Sequence, residues 1–157
     1  MFSSYPDQIF SQSYPIVKLT DVFTVLKKGL LMKKYYKCDV CGNIVLVIQD
    51  SGNTPICCMR DMHELVPGEV DASVEKHVPD VKISDNQVKV CVGTDPHPMT
   101  EAHKIEWIAL ETDKGYYHKT VFNKDVAKAC FLLKSGETPQ NVYAYCNLHG
   151  LWIRALI

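Results

Sequence analysis

Val81-Lys82-Ile83-Ser84-Asp85-Asn86-Gln87-Val88-Lys89-Val90-Cys91-Val92 is the stretch that decides the fold. Apolar and polar residues alternate with period two on both sides of Ser84-Asp85-Asn86, a turn-forming triplet. Successive side chains on a strand point to opposite faces, so this pattern lays one apolar face on a core and turns the other to solvent. The same reading extends to Ile105–Leu110, Tyr116–Phe122, Ala129–Leu133 and Val142–Tyr145. Asp113-Lys114-Gly115 and Ser135-Gly136 separate some of these runs with turn residues. About seven short strands at this spacing predict an all-β domain built as an antiparallel sandwich. No glycine-rich phosphate-binding loop and no internal repeat interrupts the pattern.

Ahead of this region lies a smaller unit, residues 35–66. Tyr35-Tyr36-Lys37-Cys38 is strand-like, Cys41-Gly42-Asn43 is a turn, Ile44–Ile48 is a second strand and Asp50-Ser51-Gly52-Asn53 a second turn. So short a module has too little apolar area to fold on core alone, and a metal staple is expected. Pro67-Gly68 reads as a linker. The expected division is therefore an extension over 1–31, a metal-binding module over 32–68 and a second domain over 69–157.

Within 1–31, Leu19, Val22, Phe23, Leu26 and Leu30 recur at helical spacing behind Thr20 or Asp21 as a cap. The stretch lacks the basic start and the small-residue cleavage site of a secretory signal. It reads either as a short amphipathic helix or as sequence ahead of a true start at Met32. The second reading is slightly favoured, because the metal module begins directly after Met32.

The chain has 157 residues, 46% of them hydrophobic, and a net charge of −1. That apolar content supports a real core, and the charge gives no hint of nucleic-acid binding. No run of 18 apolar residues is present, so a transmembrane helix is not expected. Seven cysteines are an odd number, and four of them crowd into 38–58. Such clustering favours metal ligation in a reducing compartment, hence a cytoplasmic location, over a disulfide framework. Cys91 and Cys130 lie in strand-like runs and are expected to be plain buried thiols.

Two donor sets stand out. Cys38-x-x-Cys41 with the adjacent pair Cys57-Cys58 offers four thiolates for one metal. Neighbouring residues cannot both present sulfur without backbone strain, so a distorted tetrahedron is expected. A structural zinc and an iron centre both remain open for this set. The second set is His77, His97, His103, Cys146 and His149. Pro79, Pro96 and Pro98 stiffen the loops around two of these histidines. Four neutral imidazoles and one thiolate make five ligands, which leaves one position open on a six-coordinate iron. An open position marks a reactive site, and a thiolate ligand pushes electron density onto the metal. His63 and His118 have no such context and read as ordinary surface or strand residues. Lys33, Lys34 and Lys37 read as a solvated strand end, with a docking patch for an acidic electron donor as the second possibility.

Taken in order, Cys38-x-x-Cys41, Cys57-Cys58, Glu75-Lys76-His77-Val78-Pro79, His97-Pro98-Met99-x-x-x-His103-x-Ile105-x-Trp107-Ile108 and Cys146-Asn147-Leu148-His149-Gly150 closely resemble the desulfoferrodoxins, the two-iron superoxide reductases. The resemblance spans about residues 32–157. It implies a desulforedoxin-like module holding one iron with four cysteine sulfurs. It implies a neelaredoxin-like, immunoglobulin-like sandwich holding a second iron with four equatorial histidines and axial Cys146. The implied reaction is one-electron reduction of superoxide to hydrogen peroxide, without release of dioxygen. Lys76 would attract the anion and assist protonation through water, and Glu75 would act as the sixth ligand of the oxidised iron. The family also implies a homodimer, and rubredoxin or a similar protein as electron donor. Two other functions fit the bare residues: a non-catalytic iron redox carrier related to rubredoxin, and a zinc-binding interaction module.

Overall fold

The computed structural model describes residues 32–70, 72–122 and 126–156. The expectations for 1–31, helix or misplaced start, lie outside the described residues. The chain runs through β1 (Tyr35–Lys37), β2 (Ile44–Leu46), β3 (Ile56–Cys57), β4 (Arg60–Asp61) and β5 (His63–Glu64). A short helix, α1 (Val74–His77), leads into β6 (Pro79–Ser84), β7 (Gln87–Val92) and β8 (Ile105–Thr112). The remaining strands are β9 (Tyr116–Thr120), β10 (Lys128–Leu132), β11 (Pro139–Cys146) and β12 (Gly150–Ala155).

Strands β6 to β12 form the expected sandwich. One sheet has the order β10-β7-β6 and the other β12-β11-β8-β9. Every pairing is antiparallel. Three strands facing four, with β10 returning to pair with β7, is the arrangement of immunoglobulin-like sandwiches. The hairpin at 81–92 pairs in the register its alternation requires, with Val81 opposite Val90 and Ile83 opposite Val88. Asp85 makes its turn in the left-handed region, at φ 52°. Val81, Val88, Val90 and Val92 enter the core between the sheets with Ile108, Leu110, Phe131, Val142 and Ala144.

Alternation also explains a correction. Cys130 is exposed and Cys91 only half-buried. On β7 and β10 the buried positions are Val88, Val90, Val92, Ala129 and Phe131, which puts both thiols on the outer face. There Cys91 stands opposite Lys128, and Cys130 opposite Lys89. Neither is the buried thiol that its apolar neighbours suggested.

The two central strands of the larger sheet behave differently. From Trp107 to Thr112 and from Asn141 to Cys146 every residue is buried. One face packs into the sandwich core. The other receives the N-terminal module, whose sheet has the order β2-β1-β5. Tyr35 of β1 stacks on Trp107 at 5.3 Å and meets Tyr143 edge-on at 5.3 Å, while Trp107 lies flat on Tyr145 at 5.4 Å. Ile44, Leu46, Leu65 and Leu151 close this second core. Backbone bonds stitch the layers together: Lys33 donates its N–H to the Tyr143 hydroxyl (3.2 Å) and Gly68 donates to the Leu151 carbonyl (2.8 Å). Lys37 sits half-buried over the Tyr145 ring, 5.8 Å from its centre, and Lys34 pairs with Asp50 at 2.6 Å. The three lysines 33, 34 and 37 therefore do not form one free basic patch. Among the described residues no helix is long and apolar enough to cross a membrane.

At the far end of the sandwich, Glu137 accepts from the Thr112 hydroxyl (2.6 Å), the Tyr117 hydroxyl (2.6 Å) and the Lys134 N–H (2.9 Å). These bonds hold its carboxyl down to about 2 from an ordinary value of 4.5. A carboxyl lowered on folding contributes stability fully above its unfolded value and loses it as pH falls through the folded one. Glu137→Gln is expected to lower the melting temperature at pH 7 and to flatten its acid decline between pH 4.5 and 2; melting curves against pH for both proteins check this. Tyr35→Ala removes the keystone of the second core and should cost about 3 kcal/mol. Calorimetry of this variant should resolve the N-terminal module melting ahead of the sandwich.

Candidate metal centres

The N-terminal set is assembled by two tight turns. In the first, Gly42 donates to the Cys38 carbonyl (2.9 Å) and Cys38 donates to the Asn43 carbonyl (2.8 Å), which hooks Cys38 and Cys41 together. The second is the two-residue turn joining β3 to β4, in which Cys57 pairs with Arg60 across Cys58-Met59. Cys58 and Met59 have φ values of 50° and 62°. A two-residue hairpin with both central residues left-handed normally takes Asn or Gly. The strain expected from adjacent cysteine ligands thus falls on this turn, at about 1–3 kcal/mol per residue. It brings the four sulfurs within 4.8 Å of one another, with Cys41 and Cys57 at 3.6 Å.

Backbone N–H groups of Cys41 and Val40 hold the Cys38 thiol down to about 7, whereas hydrogen bonds with Cys41 and Cys57 push Cys58 up to about 12. Four sulfurs this close do not all ionise by themselves. A bound cation reverses that balance, which is the chemistry of a thiolate metal site.

The second set sits at one end of the sandwich. His77 ends α1 just before β6, His97 and His103 lie on the β7–β8 loop, and Cys146 and His149 bracket the β11–β12 turn. Cys146 pairs with Gly150 across Asn147-Leu148-His149, and Gly150 has a φ of 70°. A three-residue hairpin loop needs a left-handed residue at this place, so the glycine after His149 serves the turn.

Around the ring His77–His97–His103–His149, neighbouring imidazoles are 4.7, 4.6, 4.8 and 4.7 Å apart and nearly perpendicular. His77 and His103 face each other across 6.1 Å at 26°. The four rings form a square. Cys146, fully buried, places its sulfur 3.6 Å from His149 Nδ1. All five donors lie within 4.8 Å of one another, and no sixth joins them among the described residues.

The square is oriented from behind. His77 Nδ1 is bonded to the Ser73 carbonyl (2.7 Å) and His97 Nδ1 to the Pro98 carbonyl (2.6 Å), so each presents Nε2 inward. His149 presents Nδ1, 2.8 Å from His77 Nε2. Buried Nε2 atoms of His97 and His103 have no hydrogen-bond partner. Orphaned buried nitrogens are costly unless something satisfies them, and a metal ion held by these donors would do so. Burial pushes His77, His97 and His103 below their ordinary values, His97 to about 4, which keeps them neutral as ligands must be. Burial also pushes the Cys146 thiol up, and a metal cation would offset that cost. The donor types suit iron or zinc.

Glu75 and Lys76 both stand exposed on α1, beside His77. The Glu75 carboxylate is bonded to the Ser73 hydroxyl and lies outside the donor group. The Lys76 charge is felt at His103, where it helps to lower the imidazole. His63 and His118 lie outside both donor groups. His63 is 3.5 Å from Glu69, and His118 packs on Trp107 at 5.7 Å.

Three supporting residues escape a sequence reading. Ser73 is one. Trp152 stacks on His77 at 4.8 Å and donates Nε1–H to the His149 carbonyl (3.1 Å). Asn147 accepts from Lys104 N–H (2.8 Å) and donates Nδ2–H to the Ala102 carbonyl (2.9 Å), tying the His103 loop to the Cys146 turn. Only the position of Asn147 between two donors could have flagged it. Asn147→Ala should weaken metal retention at the five-donor centre about tenfold and leave the four-cysteine centre unchanged; competition with a chelator, followed separately at each centre, measures both.

Comparison with known proteins agrees with this geometry. The family described as "Desulfoferrodoxin, N-terminal domain" matches residues 32–65, and the family "Desulfoferrodoxin" matches 69–155. The desulfoferrodoxin of Syntrophotalea carbinolica is 43% identical over 117 residues, covering 74% of this chain and 91% of that one. That of Nitratidesulfovibrio vulgaris is 42% identical over the same shares. Among solved structures, the superoxide reductase from Treponema pallidum superposes with a TM-score of 0.68 at 28% identity, covering 78% of this chain and 97% of that one. With both donor sets assembled and both family segments matched in order, the chain belongs to the desulfoferrodoxin family.

Proposed function

We propose that this protein is a superoxide reductase: superoxide takes up one electron and two protons and leaves as hydrogen peroxide. The observation that carries the reading is the square of buried and half-buried imidazoles grouped with the buried Cys146, within a chain of the desulfoferrodoxin family. Two similar proteins, from Treponema pallidum and Pyrococcus horikoshii, are themselves named superoxide reductases. Iron bound by His77, His97, His103, His149 and Cys146 supplies the one-electron chemistry. A second iron belongs to Cys38, Cys41, Cys57 and Cys58.

The remaining roles fall to residues around the square. An iron held by these five donors would have room for a small anion, and Lys76 is exposed on α1 next to the ligand His77. Its charge draws the anion in and orders water that delivers protons to the product. Glu75 would serve as a further ligand of the oxidised iron and so favour product release; its carboxylate is bonded to the Ser73 hydroxyl. Residues 32–68 act as the iron module and 69–157 as the reductase domain, with 1–31 an extension. The protein works as a cytoplasmic homodimer in superoxide detoxification, taking electrons from rubredoxin or a similar carrier. The cysteines, none of them in a disulfide, suit that compartment.

The test is stoichiometric. Iron-loaded protein with a one-electron reductant should consume superoxide and yield one peroxide per superoxide with no dioxygen; dioxygen release, or no consumption, would overturn the reading. Lys76→Ala should slow the second-order reaction about tenfold at low salt and flatten its dependence on ionic strength. Stopped-flow rates across a salt series measure both.

A further inference from the structure

The turn Gly93-Thr94-Asp95, we infer, is a latch that sets where Lys76 stands relative to the imidazole square, with Gly93 as its positioning residue. The inference deepens the reading of Lys76 given above and rests on it.

Helix α1 has only four residues, too few to hold its own shape. Two carbonyls of the segment 75–78 are taken up from outside. Gly93 donates its N–H to the Val78 carbonyl (3.1 Å), and Asp95 donates its N–H to the Glu75 carbonyl (3.1 Å). The Thr94 hydroxyl donates to the same Glu75 carbonyl (3.2 Å). Three donors from one turn thus grip the segment on both sides of Lys76 and His77. Two residues further along, the same turn delivers His97.

The grip leaves no room for a side chain. Gly93 has a φ of 81°, and a Cβ there would lie 2.4 Å from the Asp95 carbonyl oxygen, 2.7 Å from that of Lys76 and 2.9 Å from that of Glu75. All three are backbone atoms, which cannot swing aside as a flexible side chain can. An alanine at this position must push the turn and α1 apart. His77 is additionally held by the Ser73 carbonyl and the Trp152 ring. Lys76 has only its N–H on the Ser73 carbonyl (3.2 Å) and an exposed side chain, and its own carbonyl is one of those the Cβ would meet. The displacement therefore falls on Lys76 before it reaches the metal ligands.

Azide serves as the anion probe, titrated into the oxidised, iron-loaded full chain at low and high salt and followed by absorption. Gly93→Ala should retain both irons, bind azide about tenfold more weakly at low salt, and show a flatter salt dependence. Thr94→Val, which removes one hydrogen bond without adding bulk against the carbonyls, should shift affinity about two- to threefold in the same direction. The double variant Gly93→Ala/Lys76→Ala should lose no more than Lys76→Ala alone. Affinity and salt dependence within twofold of the parent in Gly93→Ala, or fully additive losses in the double variant, would overturn the latch. If Gly93→Ala does not fold or load iron, Thr94→Val decides, and unchanged azide binding in it overturns the latch. Superoxide consumption by the parent protein is measured in parallel. A parent that binds azide but leaves superoxide untouched ends the proposed function; an active parent with silent latch variants ends only the latch.

Discussion

The pairing of β8 with β11 is the constraint on which the rest of the molecule depends. Both strands are buried on both faces, so their backbone groups have no recourse to water and must pair with each other or with their other neighbours. Their inner face builds the sandwich core, and their outer face is the floor for the N-terminal module. The register shifts where Tyr145 meets Trp107 and Cys146 meets Ile105. This bulge at Glu106 turns Ile105 to the inner side beside Cys146, while Trp107 and Tyr145 face outward by plain alternation. Alternation along β11 thus delivers a thiol to the metal end of the core and an aromatic to the layer above, and the bulge packs Ile105 beside that thiol.

The two donor sets solve opposite electrostatic problems. The four-cysteine set reaches the surface through Cys41 and Cys58, and its difficulty is crowding: a strained turn must bring adjacent thiols to one point. The five-donor set is mostly buried, and its difficulty is desolvation. It is met by neutral ligands, by backbone carbonyls fixing two of the imidazoles, and by a single thiol whose negative charge a metal would balance. A surface centre suits exchange of electrons with a partner. A buried one suits control over which small molecule approaches.

Much of this was legible in the residues. The hairpin at 81–92 announces itself because only one of its faces is buried. All nine metal donors could be named, since cysteines and histidines at turn spacings have few other uses together. Four things were not legible. Strand β12 hides because it begins at Gly150, directly after the His149 turn, with no polar gap to mark it. The short strands β3 to β5 carry no periodicity over two residues. Cys91 and Cys130 misled because apolar neighbours on a strand do not say which face a residue takes. The supports of the site (Ser73, Gly93, Asn147 and Trp152) act through backbone atoms and ring stacking, contacts that only the folded chain brings together.

The aromatic floor beneath the N-terminal module bears on how such chains can be shortened. Trp107 and Tyr143 face Tyr35, and Tyr145 lies between Trp107 and Lys37, rather than in solvent. A sandwich released by cutting between the two units would keep its donor square but bare this floor as a continuous apolar patch, an invitation to self-association. A one-domain descendant could therefore arise from this architecture only by recolouring that face with polar side chains or by recruiting another copy to cover it. The module is in this sense a lid on a sheet as well as a holder of metal, and its loss would be felt first as a problem of solubility.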